Sequence, residues 1–495
     1  MAYMLRAVAG CVLGLFLLAT PIHAQAPRPT GTGPTALDRY VAKKDDAYGW
    51  KLANTVKGPG YTAYMLEMTS QTWRTASEVD HPVWRHWVTI VRPDTVVSDK
   101  AFLYIDGGSI TDPVPKAASA RGLKVALDTN TVAIEVRMVP NQPLVFTDSP
   151  DQRRGEDDLI AYSRVKFIAN KDPEQLVRLA MVKSGVRALD AAQEFMRTPA
   201  GGGIQLNNFV VSGGSKRAWT AWLVAAVDPR VIGVIPFVID ALNSEAVTKH
   251  GFEAYGAFSS SLGDYVRSGL FPHKIGTADY QAVLAIEDPY QYRLRPSMRM
   301  PKYMINSAGD QFFAPDNSQF YYKDLAEEKR IRYVPNTRHN LGGSDAQDSM
   351  VAFYQAVITG KPRPRYTWTK AADGTLAVRP IDRPREVNLW QATNPDARDF
   401  RKDVICNAYT STRMTPRPDG TYVVRAPDPA KGYTAFFVEL VYDSGLKYPF
   451  KFTSEVSVVP TAMPFQWKDA AAKYAPGVPA VYARPPPADP AKPCV

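Results

Sequence analysis

The stretch Asn208-Phe-Val-Val-Ser-Gly-Gly-Ser-Lys-Arg-Ala-Trp-Thr220 constrains this chain more than any other. Its apolar, β-branched opening, Phe209-Val210-Val211, predicts a strand. Two glycines and Ser215 follow, and Lys216 to Val227 has the composition of a helix. Strand, sharp turn, serine and helix in direct succession hold a hydroxyl clear of a sheet, where it can act as a nucleophile. The glycines fit, because a nucleophile at such a turn sits in strained backbone and tolerates only small neighbours.

The flanking sequence repeats a strand-then-helix rhythm. Lys100-Ala-Phe-Leu-Tyr-Ile105 predicts a strand ending in Asp106-Gly107-Gly108-Ser109, and Thr131 to Val136 predicts another. Leu176 to Met196 carries an apolar stripe at helical spacing. Val231 to Ile239 is a strand ending at Asp240, and Pro301 to Asn306 a strand ending at Gly309-Asp310. A helical stretch is expected from Gln319 to Lys329, then a strand at Ile331 to Val334 leading to Arg338-His339, and a last helix from Asp345 to Ile358. Such alternation predicts a doubly wound, mostly parallel α/β sheet. Short β-like runs precede it between Thr35 and Asp94. Residues 241–298, aromatic and mixed in pattern, interrupt the rhythm and predict a helical cap insertion.

Composition changes at Lys361-Pro-Arg-Pro-Arg365. Beyond it helical periodicity fades, and turns such as Asp373-Gly374 and Asp419-Gly420 separate short apolar runs, as in a small antiparallel sandwich. The expected organisation is an α/β domain over residues 35–362, an all-β sandwich over 366–482 and a Pro-rich tail over 483–495.

At the N-terminus, Arg6, an apolar run from Ala7 to Thr20 and Ile22-His23-Ala24 read as a secretory signal peptide over residues 1–24. No later run approaches the roughly 20 apolar residues of a membrane span. An exported protein, periplasmic or secreted, is expected. Loss of Cys11 with the signal leaves Cys406 and Cys494, which an oxidising compartment favours as a disulfide. The competing reading is a buried thiol and a loose tail thiol. The formal net charge of +10 is spread thinly, in pairs that never build a basic face, so nucleic acid is not an expected partner. A mild attraction to anionic envelope surfaces or acidic substrates is compatible with that charge.

Acyl transfer needs a nucleophile, a base, a group that orients the base, and donors for the oxyanion. Ser215, Asp310 and His339 each follow a predicted strand and occur in the chain order Ser, Asp, His, which is the order of the α/β-hydrolase triad. Asp240, at the end of the preceding strand, is the alternative acid, and Asp316 a third option better suited to capping a helix. The backbone N–H of Lys216 and an amide of the first glycine-bearing loop, at Gly108, are the expected oxyanion donors. Read differently, Ser215 is a turn serine, His339 a surface histidine and the Gly107-Gly108 loop an ordinary turn. Lys216 as a base in a Ser-Lys dyad is disfavoured, because the first helical residue points away from its neighbour. Arg137 at a strand end suits a substrate carboxylate, or a structural pair with Glu156, Asp157 or Asp158. No His, Cys and carboxylate cluster has metal-ligand spacing, and no cofactor is implied.

Ser212-Gly-Gly-Ser-Lys-Arg-Ala-Trp-Thr220 with Ala225-Ala-Val-Asp-Pro-Arg230 resembles the PhoPQ-activated pathogenicity-related proteins. Further matches are Thr35-Ala-Leu-Asp-Arg-Tyr-Val41, Arg154-Gly-Glu-Asp-Asp158, Met181-Val-Lys183 with Ala188-Leu-Asp190, and Leu389-Trp-Gln-Ala-Thr-Asn-Pro395. The resemblance spans nearly the whole chain after the signal and implies the α/β-hydrolase fold with Ser215 as nucleophile. One departure from the wider hydrolase pattern is Arg217, where a small residue is usual; Ala218 supplies it one step later. The expected activity is carboxylic-ester hydrolysis through an acyl-enzyme. The alternatives are a serine peptidase on the same triad and a non-catalytic, hydrolase-like binding protein of the envelope.

Overall fold

Alternation along Lys100–Ile105 decides the architecture. Ala101, Leu103 and Ile105 enter one apolar core, and Phe102 and Tyr104 enter a second, so the strand is buried on both faces. The computed structural model describes residues 33–483. The signal-peptide reading, Cys11, Cys494 and all but the first residue of the Pro-rich tail lie outside them.

Nine strands make the central sheet. They are β1 (Gly49–Gly58), β2 (Tyr61–Thr72), β3 (Val83–Pro93), β4 (Lys100–Ile105), β5 (Ala133–Val136), β6 (Asn208–Gly214), β7 (Val231–Phe237), β8 (Lys302–Ser307) and β9 (Lys329–Val334). Their spatial order is β1-β2-β3-β5-β4-β6-β7-β8-β9. Pairing is antiparallel as far as β5 and parallel from β5 to β9. Strand β6 sits in the interior, with Phe102 of β4 opposite Val210 and Pro236 of β7 opposite Gly213.

Seven helices matter for the site: α1 (Ala120–Thr129), α2 (Glu156–Asn170), α3 (Val177–Arg197), α4 (Lys216–Val227), α5 (Ser244–Tyr255), α6 (Ala278–Glu287) and α7 (Ala346–Ile358). Val125 of α1 and Met350 of α7 pack in the core on one face of the sheet, while Leu179 of α3 and Trp222 of α4 pack in the core on the other. This is a doubly wound sheet, with α5 and α6 lying inside the expected insertion over 241–298.

One expected helix is absent. Gln319 to Lys329 forms two three-residue-per-turn segments, Asn317–Phe320 and Tyr322–Asp324, and Lys329 already belongs to β9. Side-chain bonds tie the segment down: Asn317 Nδ2 donates to the Asp240 carbonyl at 2.9 Å and Tyr321 Oη to the Asp240 carboxylate at 2.5 Å. A straight helix would pull both from Asp240.

The C-terminal region is β-rich. Strands β10 (Tyr366–Lys370), β11 (Leu376–Pro380), β12 (Glu386–Asn394), β13 (Thr410–Arg413), β14 (Tyr422–Val424), β15 (Tyr433–Tyr442), β16 (Phe450–Thr453) and β17 (Ser457–Val459) form two antiparallel sheets. The orders are β10-β11-β14 and β13-β12-β15-β16, with β17 also on β15. Leu376, Phe436 and Val459 share a small core of their own. The region also covers the open edge of β9: the Tyr333 N–H donates to Thr453 Oγ1 at 3.1 Å, and the Arg330 guanidinium of β9 lies 5.8 Å from the centre of the Tyr366 ring. An uncovered edge would leave unpaired backbone groups available to other chains. Further on, Tyr482–Ala483 pairs with Phe258–Ser259 of the insertion.

Candidate active site

Ser215 has φ 56° and ψ −127°, a conformation that a non-glycine residue adopts only when its surroundings enforce it. Two constraints do so here. Its N–H donates to the Phe237 carbonyl at 2.9 Å, which holds the turn to β7. Helix α4 then starts at once, so close to β6 that a Cβ on Gly213 would lie 2.7 Å from the Arg217 carbonyl. Only glycine permits that approach. Lys216 is the first residue of α4, and its N–H is among those that a helix start leaves without an internal acceptor.

Arg217, where a small residue is usual, has a defined task. Its Nε donates to the Val139 carbonyl at 2.6 Å, and its two terminal nitrogens grip both oxygens of Glu156 at 2.7 and 2.6 Å. The guanidinium also lies against Gly107, where a Cβ would meet it at 2.8 Å. Lys216 Nζ joins at 2.7 Å from Glu156 and 3.0 Å from Asp157. Burial would raise the Glu156 pKa, but Arg217 and Lys216 outweigh it and hold the carboxyl at about 2. Thus the Ser-Lys-Arg and Arg-Gly-Glu-Asp-Asp motifs are two halves of one clamp, which binds the serine turn to the start of α2 and to the glycine loop. Lys216, held by two carboxylates, is not placed to act as a base.

Gly108 has φ 141°, and its carbonyl accepts from Gln142 Nε2 at 3.2 Å. The same amide nitrogen reaches Glu156 at 2.5 Å, so the loop and the clamp share one brace.

Asp310 and His339 meet. His339 Nδ1 lies 3.0 and 2.8 Å from the two Asp310 oxygens, and the His339 N–H donates to Gln311 Oε1 at 2.8 Å. Asp310 is 4% exposed. On the far side of the ring, Nε2 is enclosed and makes no hydrogen bond. Phe312 packs on the imidazole with ring centres 4.4 Å apart. Phe312 and Phe313 in turn wall a cavity into which Ser215 opens.

The alternative acids have other partners. Asp240 accepts from Tyr321 at 2.5 Å and Tyr333 at 2.7 Å, and does not contact His339. Burial dominates its pKa and, against the donation of the two tyrosines, lifts it to about 7; the nearby charges of Asp310 and Asp316 add to the rise. Asp316 binds His250 at 2.8 Å and Arg398 at 2.6 Å. Arg137 pairs loosely with Asp112 at 3.4 Å rather than with the 156–158 carboxylates. Cys406 is disulfide-bonded, while its expected partner Cys494 lies outside the described residues. Among the described residues no group of three or more His, Cys, Asp or Glu is arranged to hold a metal, and no helix is long and apolar enough to cross a membrane.

The cavity has a volume of about 90 Å³. Trp219, Tyr255, Phe258, Tyr265, Phe271 and Tyr280 make it aromatic, and most of them come from the insertion. Two buried arginines, Arg164 and Arg178, also face it, and no motif in the sequence marks either as a site residue. The available signal was an arginine inside the apolar start of a helix, Leu176-Val-Arg-Leu179.

The strand order, the serine turn and the Ser-Asp-His sequence together make this an α/β-hydrolase fold. A family model described as PhoPQ-activated pathogenicity-related protein matches residues 37–401. Autocrine proliferation repressor protein A of Dictyostelium discoideum is 39% identical over 460 residues, covering 87% of this chain and 92% of that protein. Among solved structures, acetyl xylan esterase 1 from a Thermoanaerobacterium species is 15% identical with a TM-score of 0.45, over 66% of this chain and 94% of that one. Glucuronoyl esterase from Solibacter usitatus is 13% identical with a TM-score of 0.40, over 65% and 90%.

Proposed function

This chain belongs to the PhoPQ-activated pathogenicity-related protein family, and from that premise and the serine turn we propose that it is an exported serine hydrolase acting on carboxylic esters. One observation carries the reading: Ser215, strained at a strand–helix turn, opens into a cavity walled by Phe312, the residue that packs on the Asp310-bound His339.

In this mechanism His339 Nε2 takes the proton of Ser215 as Oγ attacks the ester carbonyl. Asp310, on Nδ1, fixes the ring orientation and stabilises the imidazolium. The Lys216 N–H and an amide of the Gly108 loop receive the oxyanion, at a usual worth of about 3 kcal/mol per donor. Collapse of the tetrahedral intermediate breaks the bond to the alcohol, which leaves with the proton from His339. Water, deprotonated by the same imidazole, then hydrolyses the acyl-serine and returns the free enzyme. A peptide would follow the same steps with an amine as leaving group.

A second reading draws on the name of the Dictyostelium relative, a proliferation repressor: the hydrolase-like body would serve as a binding protein and the serine would be idle. A fluorophosphonate probe separates the two. The mature chain is expected to be labelled on Ser215, and Ser215→Ala to resist labelling. Absence of labelling in the wild type, or equal labelling of the variant, overturns the hydrolase reading. Turnover of an ester panel against a peptide panel then assigns the leaving group.

A further inference from the structure

The cavity beside Ser215 combines an aromatic wall with an unbalanced charge. Four charged residues line it: Asp157, Arg164, Arg178 and Lys216. Lys216 and Asp157 bind each other, and Tyr265 also donates to Asp157 at 2.9 Å. Arg164 has its own carboxylate, Glu287, at 2.7 Å. Arg178 differs. It is 2% exposed, stacks 4.9 Å from the centre of the Trp219 ring, and bonds through Nη1 to the Lys216 carbonyl at 2.9 Å. Its Nε has no partner, and among the described residues no carboxylate lies within ion-pair distance of it.

Glu287 and Asp157 act on Arg178 only through space, with the Arg164 charge opposing them. A buried guanidinium with no direct ion-pair partner is costly, since removal from water is compensated only by a paired charge and filled hydrogen bonds. Helix α3 keeps one in the wall of a pocket that aromatic side chains would otherwise make largely apolar. Arginine's planar fork matches a carboxylate, and a water-poor, aromatic site strengthens that pairing.

We propose that Arg178 is a substrate-binding residue, and that the part of the substrate entering this cavity carries a carboxylate held by its guanidinium. The site then favours acidic esters, with the aromatic walls covering the carbon skeleton between carboxylate and ester. The placement of the ester rests on the Ser215 reading; the anion site itself does not.

Binding tests the site without any turnover. The full mature chain is titrated with 3-phenylpropionate and with 3-phenylpropionamide, which match in shape and differ in charge, and calorimetry or Trp219 fluorescence gives each Kd. The acid is expected to bind at least tenfold more tightly than the amide. In Arg178→Met that ratio falls to about one, and Arg178→Lys, which keeps the charge, recovers part of it. Far-UV circular dichroism and the melting temperature verify that both variants are folded. Should Arg178→Met not fold, the wild-type ratio and Arg178→Lys still decide. Equal binding of acid and amide, or a preference that survives Arg178→Met, overturns the proposal. A parallel comparison uses the 4-nitrophenyl hemiester of glutaric acid against 4-nitrophenyl butyrate; the kcat/KM ratio should favour the hemiester and drop at least tenfold in Arg178→Met, whereas equal loss on both esters assigns Arg178 to holding the serine turn. Fluorophosphonate labelling without acid preference sinks the anion site alone, and acid preference without labelling sinks the hydrolase reading alone.

Discussion

Two carboxylates stand past the carboxyl ends of the parallel strands, and their surroundings give them opposite chemistry. Asp310 faces the imidazole of His339, whereas Asp240 receives two tyrosine hydroxyls in a fully buried position. Asp310→Asn removes the acceptor that fixes the ring tautomer, and kcat should fall by roughly 10⁴ with Ser215 still in place. Asp240→Asn should leave kcat within about threefold, because Asp240 touches neither Ser215 nor His339. A loss confined to Asp240→Asn would reverse the assignment. Asp240 also has a consequence for pH. Its folded pKa of about 7 lies above the reference value of 3.8, so between those values the folded chain holds a proton that the unfolded chain has released. Stability therefore declines as pH rises from about 4 to 7, on the order of a few kcal/mol from this one group. In Asp240→Asn that decline should vanish from urea midpoints measured across the same range. An unchanged slope would mean that Asp240 ionises freely in the folded state.

Elements are held to one another by ion pairs as well as by cores, and the firmest of these at the cavity joins α2 to α6. Arg164 and Glu287 lie 2.7 Å apart with side chains 4% and 0% exposed. Glu287→Ala strands the guanidinium in an apolar setting and should cost about 3–5 kcal/mol, whereas Arg164→Met combined with Glu287→Leu should recover most of that loss. A double-mutant cycle showing no coupling between the two positions would contradict this. How legible such features are depends on how local their causes are. Lys100–Ile105 and Lys216–Val227 form as their residue patterns predict, since burial period and propensity act within a few residues. The Ser-Asp-His order is readable because Ser215 directly follows a strand, and Asp310 and His339 sit in the loops that leave the strands ending at Ser307 and Val334. The missing helix over 319–329 was not, because Asp240, which pins Tyr321, lies 81 residues away. Arg217 looked anomalous for the same reason: its partner Glu156 is 61 residues distant, and no local pattern states that the two motifs close on each other. Of the two readings of Arg137, as a group for a substrate carboxylate or as a partner of the 156–158 carboxylates, the structure does not give the second, because those carboxylates are taken by Lys216, Arg217, Tyr265 and Arg154.

At the scale of the whole molecule, the C-terminal region supports the loops that carry Asp310 and His339 directly. The Lys402 N–H donates to the Gly309 carbonyl at 3.0 Å, beside Asp310, and Lys402 Nζ donates to the Asn336 carbonyl at 2.8 Å, on the His339 loop. Arg338, next to His339, binds Asp403 at 2.6 Å. Deeper in, Arg398 and His250 converge on Asp316, so that one carboxylate links the C-terminal region, the cap helix α5 and the loop that carries Phe312 and Phe313. Both Arg398 and Asp316 have side chains only 4% exposed. Removal of this guanidinium leaves a buried carboxylate half paired, at a cost of about 3–5 kcal/mol. Arg398→Met should therefore lower the unfolding midpoint and also slow both ester turnover and fluorophosphonate labelling of Ser215, although Arg398 contacts neither Ser215 nor His339. A surface pair in the same region supplies the contrast. Lys431 and Asp396 are 3.2 Å apart with side chains 77% and 79% exposed, and Lys431→Ala should change stability by no more than about 0.5 kcal/mol. If Arg398→Met behaves like Lys431→Ala, the C-terminal sheets are a passenger on the hydrolase body. If it weakens stability and labelling together, the Asp310 and His339 loops owe their geometry to residues that follow the last helix of the α/β sheet.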